Sequence, residues 1–245
     1  MHIKTSITQI KDGKEIIRGK KLEDLVKKYT FSQSIFLLLT GRLPKKNEAR
    51  MFEALLVSAI DHGAGTASAL TARVSASADN HIHTSLAAGI LGFGWRHGMA
   101  LEAAMVLFDG AISEMLDEGK TLTEIVSEYK AQKVRLPGFG HKVLKIDHRS
   151  TTLLAIAKKQ KLFGDSCRLA LQLEKELAKQ SSRSLPLNID GAMAAILSDM
   201  GFSPQQGVSV FLIARVPGLL AQIVEENEQD GGLLRLEEGE IEFVG

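Results

Sequence analysis

The chain has 245 residues, with 30 basic and 29 acidic side chains and only 5% aromatic residues. This balance speaks against nucleic acid as a partner, because nucleic-acid-binding proteins usually show a basic surface or stacking aromatics. The single cysteine, Cys167, has no second cysteine for an internal disulfide, which is typical of a reducing compartment. A polar N-terminus and the lack of an unbroken apolar run of about 18 residues predict neither a secretion signal nor a membrane span. We therefore expect a cytoplasmic protein.

The sequence predicts a short β-hairpin followed by helices. Residues 2–10 alternate in polarity, Lys11-Asp12-Gly13 is a turn signal, and residues 15–18 could form the returning strand. Thr30, Asn47 and Thr121 are candidate helix N-caps. The predicted helices are 22–29, 31–39, one from Asn47 to Gly63, 67–78, 85–94, 101–116, one from Thr121, 151–160, 165–180, 190–200 and 205–226.

Two of these helices and one loop stand out by composition. Residues 67–78 and 85–94 are dominated by Ala, Ser and Gly, which lets helix backbones approach closely, so we expect both helices to be central and buried. Residues 135–149 contain a proline and two glycines without a helical period, and they predict a structured loop. The acidic tail from Gly231 onwards also has no helical period.

Four polar residues lie at successive helix junctions, where they could line a shared cleft. His62 ends an apolar helix, His97 lies between two helices, His141 closes a glycine-rich loop, and Asp190 starts a helix. Each alone could be a satisfied core residue or, for Asp190, a helix N-cap, but jointly they favour a cleft. Arg215 lies in an apolar stretch, where an unpaired guanidinium is costly to desolvate, so we expect it to have a buried partner or a ligand.

His81 and His83 could suggest a metal site. No carboxylate or cysteine cluster with ligand spacing accompanies them, and histidines two apart do not share a helix face. The favoured interpretation is therefore a solvated loop, and we predict no metal site.

Several motifs, in one order along the chain, are similar to the citrate synthase superfamily. They are DHG…ASAL (61–70), RHGMALEA (96–103), PGFGHKV (137–143), DHR (147–149), LNIDGAMAAIL (187–197) and ARVPGLLAQIVEE (214–226). Within that superfamily, LLLTGRLP (37–44) and ALLVSAIDHG (54–63) look most like citryl-CoA lyase and the lyase module of ATP-citrate lyase. Met99 departs from the pattern, which commonly has glycine there.

The resemblance implies an all-α, citrate synthase-like fold in two parts. A large helical domain would comprise residues 1–97 and 185–245, and a smaller helical domain, 98–184, would bind on the CoA side and close over the cleft. It implies a homo-oligomer, at least a dimer, that acts on small molecules, with a CoA thioester as substrate and no tightly bound cofactor. Neither nucleic acid nor a membrane is an expected partner.

The resemblance also assigns roles to residues. Asp190 would exchange the proton at carbon, His97 would donate a hydrogen bond to the thioester oxygen, and His141 would exchange the proton at the ketone oxygen. Substrate carboxylates would be held by a second group of residues, of which the last would come from the neighbouring subunit: His62, Arg149, Arg215 and Arg235.

The leading functional hypothesis is cleavage of citryl-CoA to acetyl-CoA and oxaloacetate. Synthesis of citrate or 2-methylcitrate from an acyl-CoA and oxaloacetate is the alternative that uses the same residues. An alternative of another class is a non-catalytic subunit that keeps the fold and binds CoA or a partner chain.

Overall fold

The computed structural model describes residues 2–95, 97–140, 147–181, 184–229 and 231–244. The predicted class is confirmed: a mostly helical chain with a small N-terminal sheet. The strands are β1 (Thr8–Lys11), β2 (Lys14–Ile17) and β3 (Lys20–Lys21). The helices are α1 (Leu22–Lys28), α2 (Phe31–Thr40), α3 (Lys46–Ser58), α4 (Ala67–Ser77), α5 (Ile82–Leu91), α6 (Ala100–Asp117), α7 (Leu122–Ala131), α8 (His148–Lys159), α9 (Asp165–Gln180), α10 (Ile189–Asp199) and α11 (Pro204–Glu228).

The predicted hairpin is present, and a third strand extends it. Strands β1 and β2 pair in antiparallel register around Asp12 and Gly13, which both have positive φ, at 50° and 69°. The short strand β3 pairs with β2 and was not predicted. Arg18 anchors this sheet to the helices, because its Nε and Nη2 donate to the Leu38 carbonyl oxygen of α2 at 3.2 and 3.1 Å.

Helix starts follow the predicted caps at Thr30 and Thr121, each of which forms a capping box. The prediction that Asn47 caps a helix is wrong. Helix α3 starts two residues earlier than predicted, with Lys45 as N-cap, because the Glu48 carboxylate accepts a hydrogen bond from the Lys45 N–H at 2.7 Å. Asn47 lies inside the first turn and donates instead to a backbone carbonyl at the end of α8.

Helix α10 is the centre of the core. Residues 191–197 are all buried, and the helix packs against α6, α8 and α9, with a smaller contact to α11. A helix that is apolar on every side is typical of such a central position. Asp190, in its first turn, is therefore placed at the edge of the core. The division into domains 1–97 with 185–245 and 98–184 stays a prediction.

Helices α4 and α5 pack closely on each other and on α11. A β-carbon at Gly89 would lie 3.0 Å from the Ala72 β-carbon, so the expected close approach of the small-residue helices is confirmed. The expectation of full burial is wrong, because no other described element covers their outer face. That face exposes Leu70, Val74, Ile82, Ile90 and Leu91.

By length and composition alone, the 25-residue helix α11 could cross a membrane. In the structure it packs against α3, α4, α5 and α6, and it carries Arg215 and Glu226 in the protein interior. This is the arrangement of a core helix. Gly218 allows the turn after α3 to lie against it, since a β-carbon there would collide with the Ile60 carbonyl oxygen.

Candidate active site

Five of the predicted site residues, from distant parts of the sequence, lie close enough to act on one another. The field at Asp190 includes the charges of Arg149 and Arg215, and the field at His97 includes those of Arg215 and His62. Arg149 Nη1 is also 3.1 Å from His62 Nδ1. The structure thus brings together residues of α8, α10 and α11 and of the turns after α3 and α5. We call His62, His97, Arg149, Asp190 and Arg215 the site cluster.

Asp190 lies in the first turn of α10 but does not cap it. The N-cap is Asn188, whose side-chain oxygen accepts a hydrogen bond from the Gly191 N–H at 3.1 Å, so the N-cap alternative for Asp190 is wrong. Burial raises the pKa of Asp190 to about 6, and the positive charges of Arg149 and Arg215 limit that rise. This carboxyl group can therefore gain or lose a proton near neutral pH, as a general acid or base must.

The glycine-rich loop lies directly on the start of α10. Gly138 has a φ of +86°, and a β-carbon there would lie 2.7 Å from the Gly191 α-carbon. Asn188 holds the loop in place, with its N–H donating to the Gly138 carbonyl and its Nδ2 donating to the Gly140 carbonyl, both at 3.0 Å. The next residue, His141, lies outside the described residues. The described part of the loop, up to Gly140, therefore lies beside the start of α10.

His97 is held in a tight turn. Its N–H and carbonyl group pair with the backbone of Gly94, and its ring stacks on Phe93 at 5.1 Å between centroids. Its Nε2 is 2.8 Å from the hydroxyl oxygen of Ser68, a buried residue near the start of α4. Burial lowers the pKa of His97, and the charge of Arg215 lowers it further. The lowered pKa favours the neutral ring, which offers one N–H donor.

Arg215 is buried, with 4% of its surface exposed, as expected. Its Nε donates to the Ala59 carbonyl oxygen at 2.8 Å, and its guanidinium lies over the Phe211 ring at 5.2 Å. Among the described residues Nη1 has no hydrogen-bond partner, although it is buried. Burial lowers the pKa of Arg215, whereas the charges of Asp61 and Asp190 oppose this shift. A buried donor without an acceptor is costly, so this atom marks a place for an anionic ligand.

Arg149 is fixed by Asp147, a residue that the sequence analysis did not assign to the site. Asp147 is 1% exposed and caps α8, and it accepts hydrogen bonds from Arg149 Nε at 3.0 Å and Nη2 at 2.9 Å. It also accepts from the Ile189 N–H at 3.0 Å, which ties the start of α8 to the start of α10. Its place as the first residue of the DHR motif, two residues before Arg149, was the feature of the sequence that could have identified it. A cleft of about 420 Å³ between α3 and α8 borders Arg149.

Arg235 is not brought to the site cluster by this single chain. It lies on the exposed tail, which runs past the end of α4, where the Leu234 N–H donates to the Ser77 hydroxyl at 3.0 Å. The predicted approach of Arg235 to a neighbouring subunit's site stays a prediction.

His81 and His83 are exposed, and their rings stack at 5.8 Å between centroids. His81 is the N-cap of α5 and His83 lies in its first turn, so the pair is not in a loop as interpreted from the sequence. Within the described residues, no group of three or more His, Cys, Asp or Glu side chains could hold a metal ion.

The chain is similar to known proteins in both sequence and structure. The family model described as "Citrate synthase, C-terminal domain" matches residues 1–59 and 44–237. The structure of citryl-CoA lyase from Hydrogenobacter thermophilus is similar, with a TM-score of 0.91 and 41% identity over 99% of this chain and 94% of that one. Citrate synthase from Thermoplasma acidophilum, solved with carboxymethyl coenzyme A and oxaloacetate, has a TM-score of 0.73 and 25% identity over 88% of this chain and 57% of that one.

Curated relatives are longer than this chain. Probable ATP-citrate synthase from Caenorhabditis elegans is 28% identical over 83% of this chain but only 20% of its own length. Citrate synthase from Deinococcus radiodurans is 27% identical over 94% of this chain and 59% of its own length. Both relatives, and the two solved structures, belong to enzymes. Since the family model spans most of its residues, the chain belongs to the citrate synthase family.

Proposed function

We propose that this protein cleaves citryl-CoA to acetyl-CoA and oxaloacetate. The observation that carries the proposal is the pairing of Asp190 with the buried Arg215 in the site cluster. Asp190 has a pKa of about 6, and Arg215 has a buried Nη1 without a partner among the described residues. A proton donor beside an unsatisfied guanidinium suits a substrate that carries both a carboxylate and a reacting carbon. The 41% identity to citryl-CoA lyase over nearly the whole chain supports the same reaction.

Carboxylate binding is proposed for three residues of the site cluster. Arg215 would donate from Nη1, because its Nε already donates to the Ala59 carbonyl. Arg149 is held by Asp147 in a fixed orientation, and its Nη1 lies beside His62, so both can meet the same anion. Guanidinium groups held in place before the substrate arrives bind carboxylates with little loss of side-chain entropy.

The reaction would break one carbon–carbon bond and move two protons. A base takes the hydroxyl proton of citryl-CoA, a role that the resemblance gives to His141. The carbonyl of oxaloacetate forms, and the carbon–carbon bond breaks with its electron pair passing to the thioester enolate. The neutral His97 donates a hydrogen bond to the enolate oxygen, and the protonated Asp190 gives its proton to carbon, which becomes the methyl group of acetyl-CoA.

Assembly as a dimer is part of the proposal. The outer face of α4 and α5 exposes five large aliphatic side chains, as described above, and a second copy would cover them. The tail passes the end of α4, so Arg235 of one copy could enter the site of the other. We expect light scattering to give twice the mass of a single chain at micromolar concentration. The variant Val74→Glu should have the mass of a single chain. A parent that stays monomeric would contradict the dimer.

Condensation is the second candidate, because the same groups in reverse join an acyl-CoA to oxaloacetate. The similarity to citrate synthases favours it. The citryl-CoA lyase similarity covers more of both chains at higher identity, so cleavage is preferred.

Mass spectrometry of three parallel reactions tests the proposal. The purified protein is offered citryl-CoA, acetyl-CoA with oxaloacetate, or propionyl-CoA with oxaloacetate, with Asp190→Ala as control. We expect acetyl-CoA and oxaloacetate from the first, and loss of this turnover in the variant. Net formation of citrate or 2-methylcitrate would favour a synthase. CoA binding without turnover in any reaction would support the non-catalytic alternative and overturn the proposal.

A further inference from the structure

Gln222 of α11 lies between an ion cluster and the turn that carries His62. The ion cluster is centred on Arg73 of α4, which is 9% exposed. Arg73 Nη1 donates to Glu225 at 2.6 Å and to Gln222 Oε1 at 2.9 Å. Its Nη2 pairs with the buried Glu226 at 2.7 Å and donates to Gln229 at 3.3 Å. The cluster joins α4 firmly to the last turns of α11.

The orientation of the Gln222 amide is determined by its two neighbours. Arginine can only donate, so the amide oxygen must face Arg73. The amide nitrogen then faces Asp61, with Nε2 at 3.5 and 3.4 Å from its two carboxylate oxygens, and a carboxylate can only accept. A neutral amide is thus matched to a cation on one side and an anion on the other.

Asp61 in turn fixes the residue that follows it. Its carboxylate accepts hydrogen bonds from the backbone N–H groups of Gly63, at 2.8 Å, and of His62. Burial alone would raise the pKa of Asp61, but these bonds, the Gln222 amide and the charge of Arg215 together hold it below its usual value. The turn also lies against Gly218 of α11, where a β-carbon would be 2.9 Å from the Asp61 β-carbon.

We propose that Gln222 is a positioning residue for the carboxylate-binding side of the site. Acting through Asp61, it sets the turn from which His62 reaches Arg149, and it sets the position of the charge that faces Arg215. The inference rests on the proposed function, in which these three residues bind the carboxylates of oxaloacetate or citryl-CoA. Among the described residues, the hydrogen bonds of the Gln222 side chain go to Arg73 and Asp61, neither of which belongs to the site cluster.

Gln222→Glu separates this role from a purely structural one. The new carboxylate still accepts from Arg73, but it faces Asp61 with a like charge where the amide donated. Gln229→Glu is the matched control, because it makes the same change against the same Arg73 and has no contact with Asp61. Each protein is assayed for condensation of acetyl-CoA with oxaloacetate, for thermal stability and for binding of oxaloacetate.

We expect Gln222→Glu to raise the KM for oxaloacetate about tenfold, or about 1.4 kcal/mol, with kcat within about threefold of the parent. Gln229→Glu should match the parent in both constants. Adding Asp61→Asn to Gln222→Glu removes the like-charge contact but also the charge that faces Arg215, so it should restore the KM only in part. If Gln222→Glu does not fold, Gln222→Leu is measured instead, with the same rise in KM expected.

Three results would overturn the inference. The KM of the Gln222 variant could equal that of the Gln229 control. Alternatively, a higher KM could be accompanied by equal losses of kcat and thermal stability, which would indicate a role in folding only. Finally, a parent that neither binds nor converts oxaloacetate would overturn the proposed function, and this inference with it. An active parent with a normal Gln222 variant overturns the inference alone.

Discussion

Two buried arginines lie at helix α11: Arg215 is part of the helix, and Arg73 of α4 packs against it. They differ in how fully their guanidinium groups are hydrogen-bonded. Arg73, packed against the last turns of α11, donates to two glutamates and two glutamines. Arg215, further up the same helix, donates from Nε to one backbone carbonyl and leaves Nη1 without an acceptor among the described residues. Burial is similar, at 9% and 4% exposed, so burial alone does not distinguish structure from function.

The two ends of α10 show the same contrast for carboxylates. Asp199, at its last residue, accepts hydrogen bonds from the backbone N–H groups of Gly164, Ser166 and Cys167 at 2.6, 2.9 and 3.1 Å, and so closes the start of α9. The carboxyl group of Asp190, at the start of the helix, has no hydrogen bond within the described part of the chain, and burial raises its pKa. A charged group whose hydrogen bonds are all made within the protein stabilises the fold. A charged group that lacks such partners is available to a ligand.

The largest expected effect comes from Asp190→Asn, which keeps the shape but removes the proton exchange. We expect turnover to fall by about 10²–10⁴-fold. Stability at pH 7 should stay the same or rise, because a costly buried charge is removed. Asp199→Asn, the matched change at the other end of α10, should instead lower the unfolding temperature. Turnover of the Asp190 variant within about threefold of the parent would contradict the assignment.

A second experiment makes the same substitution at both arginines. Arg73→Met leaves Glu226 buried without its cation, and we expect urea unfolding to show a loss of about 3–5 kcal/mol. Arg215→Met removes a guanidinium that the protein satisfies only in part, so its cost should be less than half as large. Equal losses of unfolding free energy in the two variants would contradict the distinction between a fully hydrogen-bonded arginine and a partly hydrogen-bonded one.

The sequence predicted the helices well because apolar spacing and local caps, such as Thr30 and Thr121, act within a few residues. The prediction of an N-cap at Asn47 was wrong, because the hydrogen bond at the start of α3 is made by the Glu48 side chain to the Lys45 N–H. The sequence does not show which nearby side chain makes this bond. It also failed for the outer face of α4 and α5, since a small-residue pattern predicts close approach but not what covers the other side. Most residues of the candidate site were predicted from short sequence motifs.

Two members of the site could not be assigned a role from the sequence. Ser68 lies 29 residues from His97 in the chain, yet its hydroxyl is 2.8 Å from the imidazole. Asp147 lies two residues before the predicted Arg149, but only the structure shows its hydrogen bond from the Ile189 N–H at the start of α10. Such roles depend on distances between separate elements, which no local pattern encodes.

The third prediction sharpens the meaning of the unsatisfied guanidinium. Arg215→Lys keeps the charge but loses the planar fork, so it should weaken oxaloacetate binding about tenfold or more, or about 1.4 kcal/mol. Binding of free CoA should be nearly unchanged. Calorimetric titration of both ligands measures this. An unchanged affinity for oxaloacetate would mean that the missing acceptor of Nη1 is not a substrate carboxylate.

The smallest expected effect is the pH dependence that Asp190 imposes. Condensation needs Asp190 as a carboxylate, and with a pKa of about 6 the ionised share rises from about a tenth at pH 5 to about nine tenths at pH 7. We therefore expect kcat/KM for acetyl-CoA to rise about tenfold over this window.

The stability that Asp190 contributes should instead decrease as pH rises. Its raised pKa favours the protonated folded chain, so the contribution to the free energy of unfolding is fully present below about pH 4 and is lost as pH rises through about 6. Comparing unfolding of the parent and Asp190→Asn between pH 4 and 7 isolates it, because the variant lacks the group. A flat rate profile from pH 5 to 7, together with parallel stability curves, would show that Asp190 does not titrate in this window.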